Sequence, residues 1–329
     1  MNFQKQKERV ALLSVISNSA LVSMKLVVGL MIGSVSIISE AVHSGVDLLA
    51  SIIALFSVKT SSKPADKDHS FGHGKIENIS GTVEALLIFV AAGWIIYEAI
   101  QKLSNPEPLD NLGWGIGIML ISTIANIFVS QRLFKIGRET DSIALQADAW
   151  HLRTDVYTSA GVMVGLAMML CGQWFFPHIN FYWLDSVAAI AVALLIIKAA
   201  YDLTVQSAGD LLDANLPSEE EEWIRGEILK YGKIFHGYHR LRTRKAGHFR
   251  FVEFHLKVEP QMTVADSHAI TEAISQHIES RYPQTSVTIH VEPCDGNCDD
   301  NCREGCLLSE EKRREIQKQI NVTPSVGEV

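Results

Sequence analysis

The stretch LGWGIGIMLISTIANIFVSQ, residues 112–131, runs for twenty residues without one charged side chain. A helix rises about 1.5 Å per residue, so this stretch matches the roughly 30 Å of a bilayer's hydrocarbon core. Five more apolar windows of similar length flank it, at about 10–34, 35–58, 79–102, 143–171 and 183–203, and the first carries only Lys25. Most show no continuous polar face, which helices of a soluble protein would show toward water. The first window is too long for a secretory signal, and no clear small-residue cleavage site follows it. The expectation is a polytopic α-helical membrane protein with six transmembrane helices.

Averages hide that division. Of 329 residues, 47% are hydrophobic and 20% charged, and the mean hydropathy is +0.14. Most of the apolar content lies in residues 1–210. A net charge of −8 argues against nucleic acid as a partner, since phosphates need a basic face. Five cysteines, four of them between Cys294 and Cys306, are too few and too clustered for a disulfide-stapled secreted domain.

Loop charges orient the spans. Lys5, Lys7 and Arg9 precede span 1, Lys59, Lys63, Lys67 and Lys75 follow span 2, and Arg132, Lys135 and Arg138 follow span 4. The opposite loops are nearly free of Lys and Arg. The positive-inside rule then puts both termini in the cytosol. Odd spans run outward and even spans inward.

After span 6 the pattern changes to that of a soluble domain. Residues 218–231 (SEEEEWIRGEILKY) read as an amphipathic helix with an acidic first turn. Residues 238–245 and 249–258 read as strands, the second alternating Val252, Phe254, Leu256 and Val258 with Glu253, His255 and Lys257. Residues 263–281 read as a helix opened by Thr263. Residues 286–292 alternate again. The αββαβ order predicts a cytosolic α+β domain of ferredoxin-like type. The expected organisation is a membrane domain over 1–210, the cytosolic domain over 211–295, and a polar tail over 296–329 without fixed structure.

Span 2 contains Glu40-Ala41-Val42-His43-Ser44-Gly45-Val46-Asp47, and span 5 contains Asp148-Ala149-Trp150-His151-Leu152-Arg153-Thr154-Asp155. Both read acidic-Ala-x-His-x-x-x-Asp, with Ser51 and Ser159 four residues later. The two spans cross in opposite directions, which hints at an inverted repeat. Ionisable groups at membrane depth are costly and default to function. His and Asp at i, i+4 share one helix face. Two such helices would offer His43, Asp47, His151 and Asp155, a set suited to tetrahedral Zn²⁺. The competing reading is two His–Asp hydrogen bonds that merely tie helices together.

Three weaker constellations follow. Asp66, His69 and His73 have metal-ligand spacing in a loop where Gly72 and Gly74 permit a tight turn. In the soluble domain His255, His290 and Glu292 point away from the core face, with His239 on the first strand and His268 on the second helix. They converge on a metal, or they are scattered surface histidines. The tail reads Cys294-x3-Cys298-x3-Cys302-x3-Cys306, with Asp295, Asp299 and Asp300 interleaved. Cytosolic thiols stay reduced, so this spacing suggests a soft-metal site, although it is not the C-x-x-C pairing of zinc ribbons.

These features together resemble the cation diffusion facilitator family of divalent-metal transporters, in particular its bacterial zinc- and iron-efflux members. The resemblance covers about residues 8–293. It rests on the six spans, His43-x3-Asp47, His151-x3-Asp155, SFGHGKIE at 70–77, HRLRTRKAG at 239–247 and VTIHVEP at 287–293. It implies a transporter and not an enzyme: a homodimer in the inner (plasma) membrane, exporting Zn²⁺ from the cytosol in exchange for protons. It further implies a transport site from His43, Asp47, His151 and Asp155, and a loop site from Asp66, His69 and His73. A dimerising cytosolic domain would hold structural Zn²⁺ through His239, His255, His290 and Glu292, with His268 less central. An ion pair between Lys75 and Asp213 at the cytosolic membrane edge is implied as well. Where this chain has His43, many bacterial members carry Asp, a variant associated with broader Zn²⁺ and Cd²⁺ handling. The tail lies outside the family pattern. Cd²⁺, Fe²⁺ or Mn²⁺ are alternative substrates, and a membrane-anchored cytosolic metal sensor is the rival class. A sensor's anchor would not need four polar ligands at membrane depth.

Overall fold

The computed structural model describes residues 3–32, 35–104, 112–175, 183–296 and 299–320. The chain divides into two compact units, one of residues 1–212 with 246–248, the other of 213–245 with 249–329.

The first unit is built from long helices: α1 (Phe3–Ile32), α2 (Val35–Ser61), α3 (Lys75–Ser104), α4 (Leu112–Glu139), α5 (Ile143–Phe175) and α6 (Trp183–Leu211). The stretches Phe3–Met31, His43–Ser61, Lys75–Gln101 and Ser186–Leu211 are each long and apolar enough to cross a membrane. Their outer faces are apolar, with Met31, Phe56, Val90, Trp94 and Leu195 all exposed. That is the reverse of a water-soluble bundle and suits a hydrocarbon solvent.

The inner contacts are made by small residues. Ala85 and Ala92 of α3 and Ala147 of α5 pack with Ala200 of α6 around Ile88 and Ile196. In lipid, close backbone approach replaces the hydrophobic drive between helices. Gly81 marks the tightest approach on α3, where a Cβ would come 2.6 Å from Ser207 Oγ and 2.8 Å from Ile143 Cγ2. The interior also holds charge. Lys7 Nζ lies 2.9 Å from Glu77 Oε1, and both side chains are buried. Ser61 Oγ donates to the same oxygen at 2.8 Å, and Ser142 Oγ donates to Oε2 at 2.6 Å. One carboxylate thus ties α1, α2, α3 and the turn before α5.

The second unit runs α7 (Ser218–Lys230), β1 (Gly237–Ala246), β2 (Phe249–Val258), α8 (Val264–Arg281) and β3 (Thr285–Pro293). The sheet order is β1-β2-β3. Strands β2 and β3 are parallel, with His255 opposite His290 and Lys257 opposite Glu292. A parallel pair needs a crossover, and α8 provides it. Thr263 caps α8, its Oγ1 accepting from Asp266 N at 3.1 Å. Ile270, Ile274 and Ile278 recur every four residues along α8, so they form one stripe that meets Val252, Phe254, Leu256 and Val258. Ile224 and Ile228 of α7 complete this core. Truncating one of these buried residues to Ala should cost about 2–5 kcal/mol. With one sheet face closed by helices, β2 turns its alternate residues, His255 and Lys257, to the other side.

The tail departs from the expectation of no fixed structure. It carries α9 (Asp300–Glu304) and α10 (Glu310–Ile320). Asp299 Oδ1 caps α9 by accepting from Cys302 N at 2.7 Å. Tyr238 N donates to Gly305 O at 3.1 Å, and Leu307 N donates to His236 O at 2.9 Å. Backbone pairing along the edge strand β1 orders a segment whose composition is polar. Cys298 lies outside the described residues.

Candidate metal centres

The transport-site candidates come together between α2 and α5, which pack against each other. His151 Nε2 lies 3.0 Å from Asp47 Oδ1, and both side chains are buried. His43 Nε2 lies 3.8 Å from Asp155 Oδ1. Ligand atoms of His43, Asp47 and Asp155 all fall within 4.8 Å of one another. Three of the four donors therefore share one small volume, and His151 adjoins it through Asp47. A polar surround braces them. Asn126 Nδ2 donates to Asp155 Oδ2 at 3.4 Å. Ser51 Oγ donates to Asp148 Oδ1 at 3.1 Å and accepts from Asn18 Nδ2 at 2.6 Å. Such outer partners set the angle at which a ligand presents itself. Asn18, Asn126 and Glu84, a fully buried carboxylate on α3, escaped the sequence reading. Their signal was polarity inside an apolar window, without a repeated motif to single them out.

The loop candidates also converge. Asp66 Oδ1 accepts from Asp68 N at 3.0 Å and His69 N at 2.7 Å, which folds the loop over its own carboxylate. His69 Nδ1 and His73 Nε2 each approach Asp66 at 3.4 Å. Gly72 takes φ +81, a left-handed conformation that other residues resist. The His69 backbone N–H holds the exposed Asp66 carboxyl below its ordinary value, with further help from Asp68 N and the two histidines. His73 Nδ1 is buried and, among the described residues, has no hydrogen-bond partner.

On the open face of the sheet, Glu292 is the hub. His255 Nδ1 lies 2.7 Å from its Oε1 and His239 Nε2 lies 3.2 Å from its Oε2. His290 Nε2 is 3.5 Å from Oε1, and Lys257 Nζ pairs with Oε2 at 2.8 Å. Burial works to raise the Glu292 carboxyl, but the hydrogen bonds from Lys257 and His255 overcome it and hold the group down at about 2. His239, His255 and Glu292 form a three-donor cluster. His268 is exposed on α8 and is not part of that cluster. The sequence places Lys257 on the same strand face as His255, but its pairing with Glu292 on the neighbouring strand comes only from the tertiary structure.

Lys75 Nζ donates to Leu211 O at 3.3 Å, and Asp213 Oδ1 accepts from Arg244 Nη1 at 3.5 Å. Cys294 and Cys302 are buried, and with Cys306 they line a small cavity beside His236 and His239.

Comparison with known proteins identifies the assembly. Residues 11–212 match the cation efflux transmembrane domain family, and residues 216–294 match the cation efflux protein cytoplasmic domain. An uncharacterized transporter of Synechocystis sp., sll1263, is 35% identical over 285 residues, covering 87% of this chain and 90% of the relative. The cation-efflux pump FieF of Yersinia pestis is 31% identical over 262 residues, covering 80% and 84%. Among solved structures, CzrB in its Zn form shares 34% identity over 26% of this chain and 96% of its own, with a TM-score of 0.24. The metal-bound C-terminal domain of the CzcD transporter from Thermotoga maritima shares 32% identity over 26% of this chain and 100% of its own, with a TM-score of 0.22. With matching domains over most of its length and transporters among its relatives, the chain belongs to the cation efflux family, membrane transporters of divalent metals.

Proposed function

We propose that this transporter exports Zn²⁺ from the cytosol across the inner membrane in exchange for protons. It does so as a homodimer with six spans and both termini in the cytosol. The observation that carries the reading is the meeting of two matched motifs, 108 residues apart in sequence, with His151 Nε2 at 3.0 Å from Asp47 Oδ1. Two imidazoles and two carboxylates suit a tetrahedral Zn²⁺ ion as substrate. Zn²⁺ takes these ligands only in their deprotonated forms, so binding expels protons. Histidine is the side chain that most readily exchanges proton for metal near neutral pH. Alternate exposure of the site to the two sides would couple metal exit to proton uptake.

The sheet-face cluster of His239, His255 and Glu292, with His290 beside it, is the proposed resident Zn²⁺ site of the cytosolic domain. Three oxygen and nitrogen donors and a fourth within reach fit that ion's chemistry. Binding there would displace Lys257 from Glu292 and would support association of the two copies. The loop trio Asp66, His69 and His73 is a proposed way-station, and a Lys75–Asp213 pair is a proposed restraint at the membrane edge.

The test is metal and proton flux in proteoliposomes with Zn²⁺, Cd²⁺, Fe²⁺ and Mn²⁺ supplied singly. Zn²⁺ entry accompanied by opposite proton movement is expected. Metal binding without any flux would favour a sensor, and flux without proton movement would remove antiport.

A further inference from the structure

Cys294 follows β3 and pairs with β2, while Cys306 lies against β1, the edge strand that supplies His239. Cys294 N donates to Val258 O at 2.8 Å, and residue 306 bridges to Gly237. Gly305 lies so close to Tyr238 that a Cβ there would strike the Tyr238 carbonyl. Gln317 Nε2 of α10 donates to Gly296 O at 2.6 Å and closes the loop from behind. These contacts enclose a cavity of about 10 Å³ bordered by Cys294, Cys302, Cys306 and His239. That is about the space of one water-sized sphere.

Two observations point to a ligand there. Ligand atoms of His239, Asp299 and Cys302 lie within 4.8 Å of one another. The His239 side chain is 7% exposed, and its Nδ1 has no hydrogen-bond partner among the described residues. A buried ring nitrogen left unsatisfied is costly. Its other nitrogen, Nε2, faces Glu292 Oε2 at 3.2 Å.

We propose that Cys294, Cys302, Asp299 and His239 Nδ1 form a second metal site on this domain, selective for a soft d¹⁰ divalent ion such as Zn²⁺ or Cd²⁺. Two thiolates, one imidazole and one carboxylate make a four-donor set that excludes hard ions such as Mn²⁺ or Mg²⁺. With metal on Nδ1, the proton of the ring sits on Nε2 and is donated to Glu292. That is the carboxylate–histidine–metal arrangement in which an outer carboxylate orients the ligand. The same arrangement withdraws Nε2 from the His255–Glu292 cluster, because a neutral imidazole has only one free lone pair. Filling the thiolate site therefore weakens the neighbouring one, and the tail becomes a soft-metal input to a domain whose metal load supports pairing of the two copies. This coupling rests on the resident-site reading above, while the thiolate site itself does not.

The test is Cd²⁺ titration of the full-length protein in detergent under reducing conditions, followed by the ultraviolet thiolate-to-metal charge-transfer band. A band saturating at one Cd²⁺ per chain is expected, and oxygen and nitrogen sites elsewhere in the protein do not produce it. Cys302→Ser should cut the band by at least half, leaving only the Cys294 thiolate, and His239→Ala should weaken the band-forming affinity by more than the roughly 100-fold upper range for losing an outer-shell partner. In unaltered protein, Cd²⁺ should protect Cys294 and Cys302 from alkylation, read by mass spectrometry, so the result does not depend on a variant folding. No band, or a band unchanged in Cys302→Ser, or alkylation unaffected by Cd²⁺, overturns the site. Each readout reports binding, so its failure leaves the transport reading standing, and absence of flux leaves the thiolate site standing.

Discussion

Asp47 on α2 and His151 on α5 meet at 3.0 Å although 104 residues separate them. Within each motif the histidine and aspartate sit one helical turn apart. Across the bundle the partners exchange: His151 faces Asp47, and His43 faces Asp155. Each helix therefore presents two donors to the other instead of satisfying them internally.

Removing one donor leaves three and an unbalanced site. Asp47→Ala should lower Zn²⁺ flux by more than the roughly 100-fold upper range for losing an outer-shell partner. Folding and oligomeric state, read by size-exclusion chromatography, should persist. Unchanged flux in Asp47→Ala and in Asp155→Ala would show that the metal crosses elsewhere.

His43 should make the site prefer Zn²⁺ over Cd²⁺. An imidazole presents one nitrogen along a fixed direction and suits Zn–N bonds of about 2.0–2.1 Å. A carboxylate binds through one oxygen or two and can enlarge the coordination sphere for the larger ion. His43→Asp should raise Cd²⁺ transport relative to Zn²⁺ at the same proton gradient, with Zn²⁺ transport surviving. A ratio that does not move would assign selectivity to the packing of α2 against α5.

Glu77 and Lys7 form a pair in which both side chains are almost completely shielded. Taking away one partner strands the other charge, at a cost of about 3–5 kcal/mol. Glu77→Ala should accordingly lower the thermal unfolding temperature in detergent, and Lys7→Met in the same chain should restore part of the loss. A double variant no better than Glu77→Ala alone would mean that the stranded charge was not the cause.

A pH effect is expected on the helical side of the second unit. Burial tends to raise the Glu227 carboxyl, but Lys230 and then His277 outweigh it and hold the group below its ordinary 4.5. The folded state therefore holds the proton less tightly than the unfolded chain. Its contribution is fully present above about pH 4.5 and fades as pH falls through the lower folded value. Denaturation of Glu227→Gln against the original protein should show a stability gap at pH 7 that narrows in acid. A gap independent of pH would refute the linkage.

Sequence by itself determined the apolar helices, because crossing hydrocarbon demands length and composition more than any particular partner. It likewise determined the donor types in α2 and α5. Strand alternation put His255 and Glu292 on one face before any packing was known. The tertiary structure decided which donor faces which, since spacing of four residues describes a helix face and not the helix opposite it. It also decided the fate of the tail. The tail reads as polar and unstructured because the order of its described part, residues 299–320, comes from backbone hydrogen bonds beside β1 and from a cap by Asp299. Such bonds leave no periodic trace in side-chain hydropathy. The partnership of His239 with Cys302 is of the same kind: two residues 63 apart in sequence, joined only because the edge strand and the returning tail lie side by side.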